Sequence, residues 1–176
     1  MKNKLSLLPA FCALVLLAAG CSTTYKPGAP VPKLSGIPDT IRASQVAFAS
    51  AQPSKEKIEV SQKGTGYTVY GSLGDWTDSA VRALNRTLQK KGSSATASSA
   101  SPIKISVTQV TLSTAASGWS FRCTVVFTVD LGDGNPLTLG ADDTSWKWPN
   151  ACDAAIEKLV LVTLHDERVL KALGAK

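Results

Sequence analysis

His165 is the only histidine of the chain, and a lone imidazole beside Asp166 near the end of a helical run suits a surface or capping position. Serines are numerous, yet none stands in a Gly-x-Ser-x-Gly stretch, so no ordered hydrolase triad is written into the sequence. In "DLGDGNP", Asp130, Asp133 and Asn135 bring three oxygen donors together. Their spacing departs from a calcium-binding EF-hand loop and the closing glutamate is missing, which favours a hairpin turn. Asp142 and Asp143 are adjacent and would point oppositely on a strand, unlike a paired acid and base. These patterns lead us to expect no enzyme activity, no metal site and no cofactor. Cys123 and Cys152 offer different chemistry. They form no Cys-x-x-Cys pair, but a helix laid across the strand that carries Cys123 would bring Cys152 to it, giving either a structural disulfide or two inert buried thiols. We expect the disulfide, which would close a loop of 29 residues.

The remaining cysteine of chemical interest is Cys21. Lys2 and Lys4 precede the apolar segment "LSLLPAFCALVLLAAG", the layout of a secretory signal, and Ala10 to Gly20 is too short for a transmembrane helix, which needs about 20 apolar residues. Ala18, Ala19 and Gly20 before Cys21 resemble the lipobox of bacterial lipoproteins, in which the signal is cut before the cysteine and the thiol receives a diacylglyceryl group. An ordinary signal peptide cut at Ala19 or Gly20 is the alternative. Cys12 leaves with the signal in either case. Because two acyl chains hold a protein stably where one does not, a lipidated Cys21 implies permanent membrane residence.

Cleavage after residue 20 leaves a mature chain whose formal charge falls from +6 to +4, since Lys2 and Lys4 are lost. Arg82, Arg86, Lys158 and Arg168 are scattered rather than gathered in a stripe, which argues against nucleic acid as a partner. Residues 21–56 read as the lipidated N-terminus and a flexible tether with Pro27, Pro30, Pro32, Pro38 and Pro53, docking at most locally through "IRASQVAFA". Fully extended, about 33 residues would span on the order of 100 Å. Residues 57–176 are expected to form a single domain.

Within it, "KIEVSQ" and "GYTVYG" are short strand candidates, and "GDWTDSAVRALNRTLQKKG" has helical spacing, with Asp75 as the expected N-cap and Gly92 as the stop. "IKISVTQVTLST" alternates through Ile103, Ile105 and Val107, then changes parity at Val110 and Leu112, as a bulge near Thr108 or Gln109 would require. In "GWSFRCTVVFTVDL", Trp119, Phe121, Cys123, Val125, Phe127 and Val129 share the face expected to be covered. Arg122 and Thr124 belong to the opposite, wet face. "LTLGADDTSWKW" returns as a strand, and "NACDAAIEKLVLVTL" closes the chain as a helix with Asn150 as the expected cap, "ERVLKAL" being its continuation or a short second helix. The expected fold is α+β, an antiparallel sheet with helices on one face, in the order ββαβββα.

Trp146 and Trp148 share strand parity and oppose Leu137 and Leu139. They are either turned into the core by a bulge or form an exposed aromatic surface for a protein or glycan, with Tyr67, Tyr70 and Trp76 as candidate neighbours.

Taken together, the lipobox, "WTDSAVRALNRTLQKKG", "SFRCTVVFTVDLGDG" and "NACDAAIEKLVLVTL" resemble the YajG-like group of small bacterial envelope lipoproteins and, more loosely, auxiliary lipoproteins of envelope transport systems. The resemblance implies an α+β periplasmic domain anchored to the outer membrane through Cys21, in bacteria with two membranes. Ser22 is the residue type that permits that sorting. No other functional residue transfers by motif. The expected role is a non-catalytic interaction or accessory subunit with an envelope protein as partner, contacting it through residues such as Arg122, Thr124, Trp146 and Trp148. The alternative is a module binding peptidoglycan or lipid through an aromatic surface or an apolar cleft.

Overall fold

The computed structural model describes residues 22–43, 45–51, 55–62, 65–93, 101–116 and 118–174. The strands are β1 (Ser22–Thr24), β2 (Phe48–Ser50), β3 (Ile58–Glu59), β4 (Thr68–Gly71), β5 (Ile103–Thr114), β6 (Phe121–Asp130) and β7 (Leu137–Ser145). The helices are α1 (Leu73–Lys90), α2 (Trp148–His165) and α3 (Glu167–Ala172). From β3 onward the succession ββαβββα is the expected one, with α3 added as a separate short helix.

Alternation in β5 and β6 produces a meander with one covered face. Cys123, Val125, Phe127 and Val129 are all buried, while Arg122 is exposed and Thr124 half-buried. The register of β5 against β6 shifts between Val107 and Gln109, where the change of parity requires it. The Val107 amide is not left unpaired, because it donates to Thr77 Oγ1 of α1 at 2.9 Å. The bulge thus fixes where α1 crosses the sheet.

α1 begins one turn before the expected cap. Ser72, not Asp75, is the N-cap: the Asp75 amide donates to Ser72 Oγ at 3.0 Å, and the Ser72 hydroxyl donates back to Asp75 Oδ2 at 2.9 Å. This start turns Trp76, Ala80, Ala83, Leu84 and Leu88 into the core, where Trp76 is the largest fully buried side chain. α2 packs over β6 and β7 and buries Ile156, Leu159, Val160 and Leu164. Its cap is Lys147 rather than Asn150, because Pro149 fits the first turn of a helix, where a missing N–H costs nothing.

The sheet is mixed rather than antiparallel. β5, β6 and β7 are antiparallel to one another, but β2 lies parallel to β5, and β1 lies parallel to β4 in a second sheet of order β1-β4-β3. The two sheets meet on one edge of β5. β2 covers its first half, and residues 60–62 cover its second half, with Gln62 N donating to Leu112 O at 2.8 Å and Leu112 N to Val60 O at 2.7 Å.

Both parallel strands come from the segment expected to be a tether. That segment is laid down on the domain. Its prolines exclude long strands, but β1 and β2 are three residues each and avoid them, and Ile37, Ile41, Ala47 and Phe48 are buried in the core. Polar clamps hold the rest. Tyr25 donates its hydroxyl to Asp153 Oδ1 at 2.7 Å, the Gly28 amide donates to the same oxygen at 2.8 Å, and Ser79 donates to Pro27 O at 2.8 Å. Asn85 takes both main-chain groups of Phe48, each at 2.9 Å. The folded unit therefore begins by Ser22 rather than at residue 57.

Candidate functional site

Cys21 lies outside the described residues, but its neighbour Ser22 is the first residue of β1 and pairs with Thr68. β1 runs straight into Tyr25, whose ring meets Trp148 edge-on at 5.0 Å and Trp76 at 6.0 Å. The Tyr25 hydroxyl has its pKa raised, by burial first and then by its bond to Asp153. It is a fixed donor at neutral pH.

Cys123 and Cys152 are brought together as expected, on β6 and in the first turns of α2, and both are fully buried. The Cys152 pKa is raised, first through its hydrogen bond with Cys123 and second through burial. The Cys152 thiol is therefore held protonated and is a poor nucleophile. In the structure the two are free thiols, and the disulfide is a proposal for the oxidised protein.

The acidic loop is a turn. Gly132 N donates to Asp130 Oδ1 at 2.8 Å, Asn135 N donates to Asp133 Oδ1 at 2.9 Å, and Asp133 Oδ2 pairs with Arg168 at 2.8 Å. The Asn135 amide first, and Arg168 second, lower the Asp133 pKa. His165 sits exposed in the last turn of α2, where its Nδ1–H donates to Leu161 O at 2.7 Å. On the wet face, Arg122 pairs with Asp142 at 3.7 Å, both side chains being about half exposed. Thr124 lies beside them on β6, opposite Asp142 in register.

The tryptophans do not fall as expected. β7 ends at Ser145, so Trp146 and Trp148 do not share a strand: Trp148 opens α2 and is half-buried on Tyr25, while Trp146 is 76% exposed. Trp119 is not on the covered face of β6, which starts at Phe121; it follows Gly118, whose φ of 71° turns the chain, and is 78% exposed. The aromatic pair at the surface is thus Trp119 with Trp146. Together with Ser120, Thr144 and Ser145 they line an open cleft of about 310 Å³. Tyr67 is 47% exposed and its ring lies 6.0 Å from that of Phe121. Tyr70 lies on β4 under the Lys57 ammonium, 4.3 Å from the ring centroid, and Trp76 is buried, so neither joins this surface.

A larger cleft of about 470 Å³ opens at the other end of the sheet between β2 and α1, with Arg82, Asn85 and Arg86 on its helical wall. Sequence reasoning treated these two arginines as scattered charges. Their i, i+4 spacing put them on one helix face, but only the docking of β2 makes a wall opposite them. Among the described residues no helix is long and apolar enough to cross a membrane.

No protein-family model matches the chain, and no curated protein matches it. Among solved structures it is similar to a crystal structure of a Xanthomonas campestris protein of family-model DUF330, with 14% identity and a TM-score of 0.48, covering 80% of this chain and 91% of that one. That likeness provides no link to the YajG-like group, whose resemblance rests on the sequence features alone.

Proposed function

We propose that the chain is an envelope lipoprotein, anchored to the outer membrane by a diacylglyceryl group on Cys21 with its domain facing the periplasm, and that it serves as a non-catalytic interaction or accessory subunit. The observation that carries the reading is the junction at Cys21: a basic start, a short apolar run, Ala-Ala-Gly, and then β1 one residue later. The membership of the YajG-like group belongs to the same proposal. In support of an interaction role, β7 is a nine-residue edge strand with no strand on its outer side among the described residues, and such an edge can accept a strand from a partner. The solvent face of the sheet beside it carries Arg122 of β6 and Asp142 of β7, each about half exposed, with the less exposed Thr124 of β6 next to them.

Intact-mass measurement of the membrane-extracted protein tests the anchor. The expected result is a mature chain starting at Cys21 and carrying diacylglyceryl or triacyl mass; an unmodified chain starting elsewhere refutes it. Cys21→Ser should release a folded domain from the membrane. Crosslinking in intact cells tests the role: one envelope protein should be captured reproducibly and lost when Arg122→Glu and Thr124→Arg are introduced without loss of fold or lipidation. Should no partner appear, and peptidoglycan fragments bind the purified domain instead, the accessory role is replaced by a ligand-binding one.

A further inference from the structure

We infer that Trp119 and Trp146, flanked by Tyr67, form the membrane-contacting end of the domain and lie in the lipid headgroup layer beside the anchor. The inference rests on the lipoprotein reading above. Its starting point is that the large apolar side chains left exposed among the described residues are Tyr67, Trp119 and Trp146. All three fall at one end of the joined sheets. β1 and β4 start there at Ser22 and Thr68, β5 ends there at Thr114, β6 starts at Phe121 and β7 ends at Ser145. Pairing links the aromatics across that end: Tyr67 precedes Thr68, the register partner of Ser22, and its ring touches Phe121, the register partner of Ser145, which precedes Trp146.

The anchor leaves from the same place. Cys21 is bonded to Ser22, so its Cα lies about 3.8 Å away. Little slack follows it, since β1 is paired with β4 and Tyr25, three residues on, is held by Asp153 and Trp148. Acyl chains on Cys21 would therefore draw this end, and no other, onto the bilayer. An aqueous surface gains nothing from two tryptophans more than three-quarters exposed, whereas indole and phenol rings favour the headgroup region, where an apolar body and a polar tip are both satisfied. Charge agrees with this placement. Lys147, exposed next to Trp146, adds a positive charge at this end, while the nearby acids are engaged: Asp142 pairs with Arg122, and Asp143 accepts from the Thr144 amide at 2.7 Å. The cleft walled by Arg82 and Arg86 then opens at the far end, away from the lipid.

The test uses the full lipoprotein extracted from membranes and reconstituted in phosphatidylethanolamine and phosphatidylglycerol vesicles, part of whose lipid is brominated in the upper acyl chain. Bromine quenches indoles that reach the bilayer. The chain has four tryptophans, and the expected result is quenching of the two exposed ones, with the buried Trp76 emission untouched. The double variant Trp119→Phe, Trp146→Phe, checked for fold by circular dichroism, should lose the quenched component. Wild-type emission unchanged by brominated lipid, or a variant quenched as strongly as wild type, overturns the inference. Perturbation of the emission by soluble peptidoglycan fragments but not by brominated lipid overturns it in favour of a glycan surface. Intact mass of the same preparation separates the failures: a chain without diacylglyceryl at Cys21 overturns the anchor and the inference with it, whereas a lipidated chain with unquenched tryptophans overturns the inference alone.

Discussion

Asp153→Ala should loosen the N-terminal segment from the domain before it unfolds the rest. The Asp153 carboxylate accepts from the Tyr25 hydroxyl at 2.7 Å and from the Gly28 amide at 2.8 Å, and the first of these bonds is half-buried while the second is exposed. Hydrogen bonds to a charged partner contribute about 1.5–3 kcal/mol each, so taking the lower end for both gives about 3 kcal/mol. Tyr25→Phe keeps the ring against Trp76 and Trp148 and removes only the donor, for an expected loss of about 1.5 kcal/mol. Because the two variants delete the same bond from its two ends, the double variant should cost less than the sum by about 1.5 kcal/mol. Urea unfolding followed by circular dichroism measures the three losses, and hydrogen exchange at the Gly28 amide reports the local opening. Additive losses, together with a Gly28 amide exchanging as slowly in Asp153→Ala as in wild type, would refute the clamp and return this segment to a tether.

Three further outcomes follow from neighbouring contacts. Since burial raises the Tyr25 pKa above its ordinary value of 10.0, its contribution is fully present below pH 10 and is lost as pH rises toward the folded value; wild type should lose stability relative to Tyr25→Phe between about pH 10 and 12, and parallel curves would contradict this. Non-reducing peptide mapping of the protein extracted from its native cells should recover Cys123 and Cys152 as one linked species, whose closure of the 29-residue loop contributes roughly 3–4 kcal/mol in the chain-entropy account; two alkylatable thiols would reject the bridge. Gly71→Ala places a Cβ 3.0 Å from Trp76 Nε1 and 3.3 Å from Tyr25 O, and should cost about 1–3 kcal/mol because Trp76 is fully enclosed, read as a drop in melting temperature.

What could be read from the sequence was what repeats locally. The alternation of β6 runs over ten residues and β5 over twelve, long enough for parity, and even for the parity change at Val107 to Gln109, to declare itself. α1 and α2 have 18 residues each and were legible for the same reason. β1 and β2 have three residues each, too few to establish a period, and what holds them is distant in sequence: Tyr25 and Asp153 are 128 residues apart. The misplacement of Trp119 came from carrying parity two residues back from the start of β6, into the bend that Gly118 opens. Trp148 did have a local signal. Pro149 followed by Asn150 is a helix start, and taking it as one removes Trp148 from the strand and dissolves the apparent pairing with Trp146.

The placement of β1 changes what an anchor on Cys21 would do. A free tether of about 33 residues permits a standoff on the order of 100 Å and leaves the domain free to tumble. With β1 paired to β4 from Ser22 onward, acyl chains on Cys21 would be separated from the fold by a single peptide bond, and the domain would be held against the bilayer with its aromatic end down, as proposed above. Partners must then reach the membrane surface, and those already in the membrane meet the domain at a high effective concentration. Neutron reflectometry of the reconstituted lipoprotein on a supported bilayer distinguishes the two arrangements. A folded unit of this size has a radius of gyration near 15 Å, hence a diameter of about 40 Å, and a docked N-terminus predicts one protein layer of about that thickness in direct contact with the headgroups. A water-rich gap of several tens of ångströms between headgroups and protein would mean that β1 detaches from β4 when the lipid is in place.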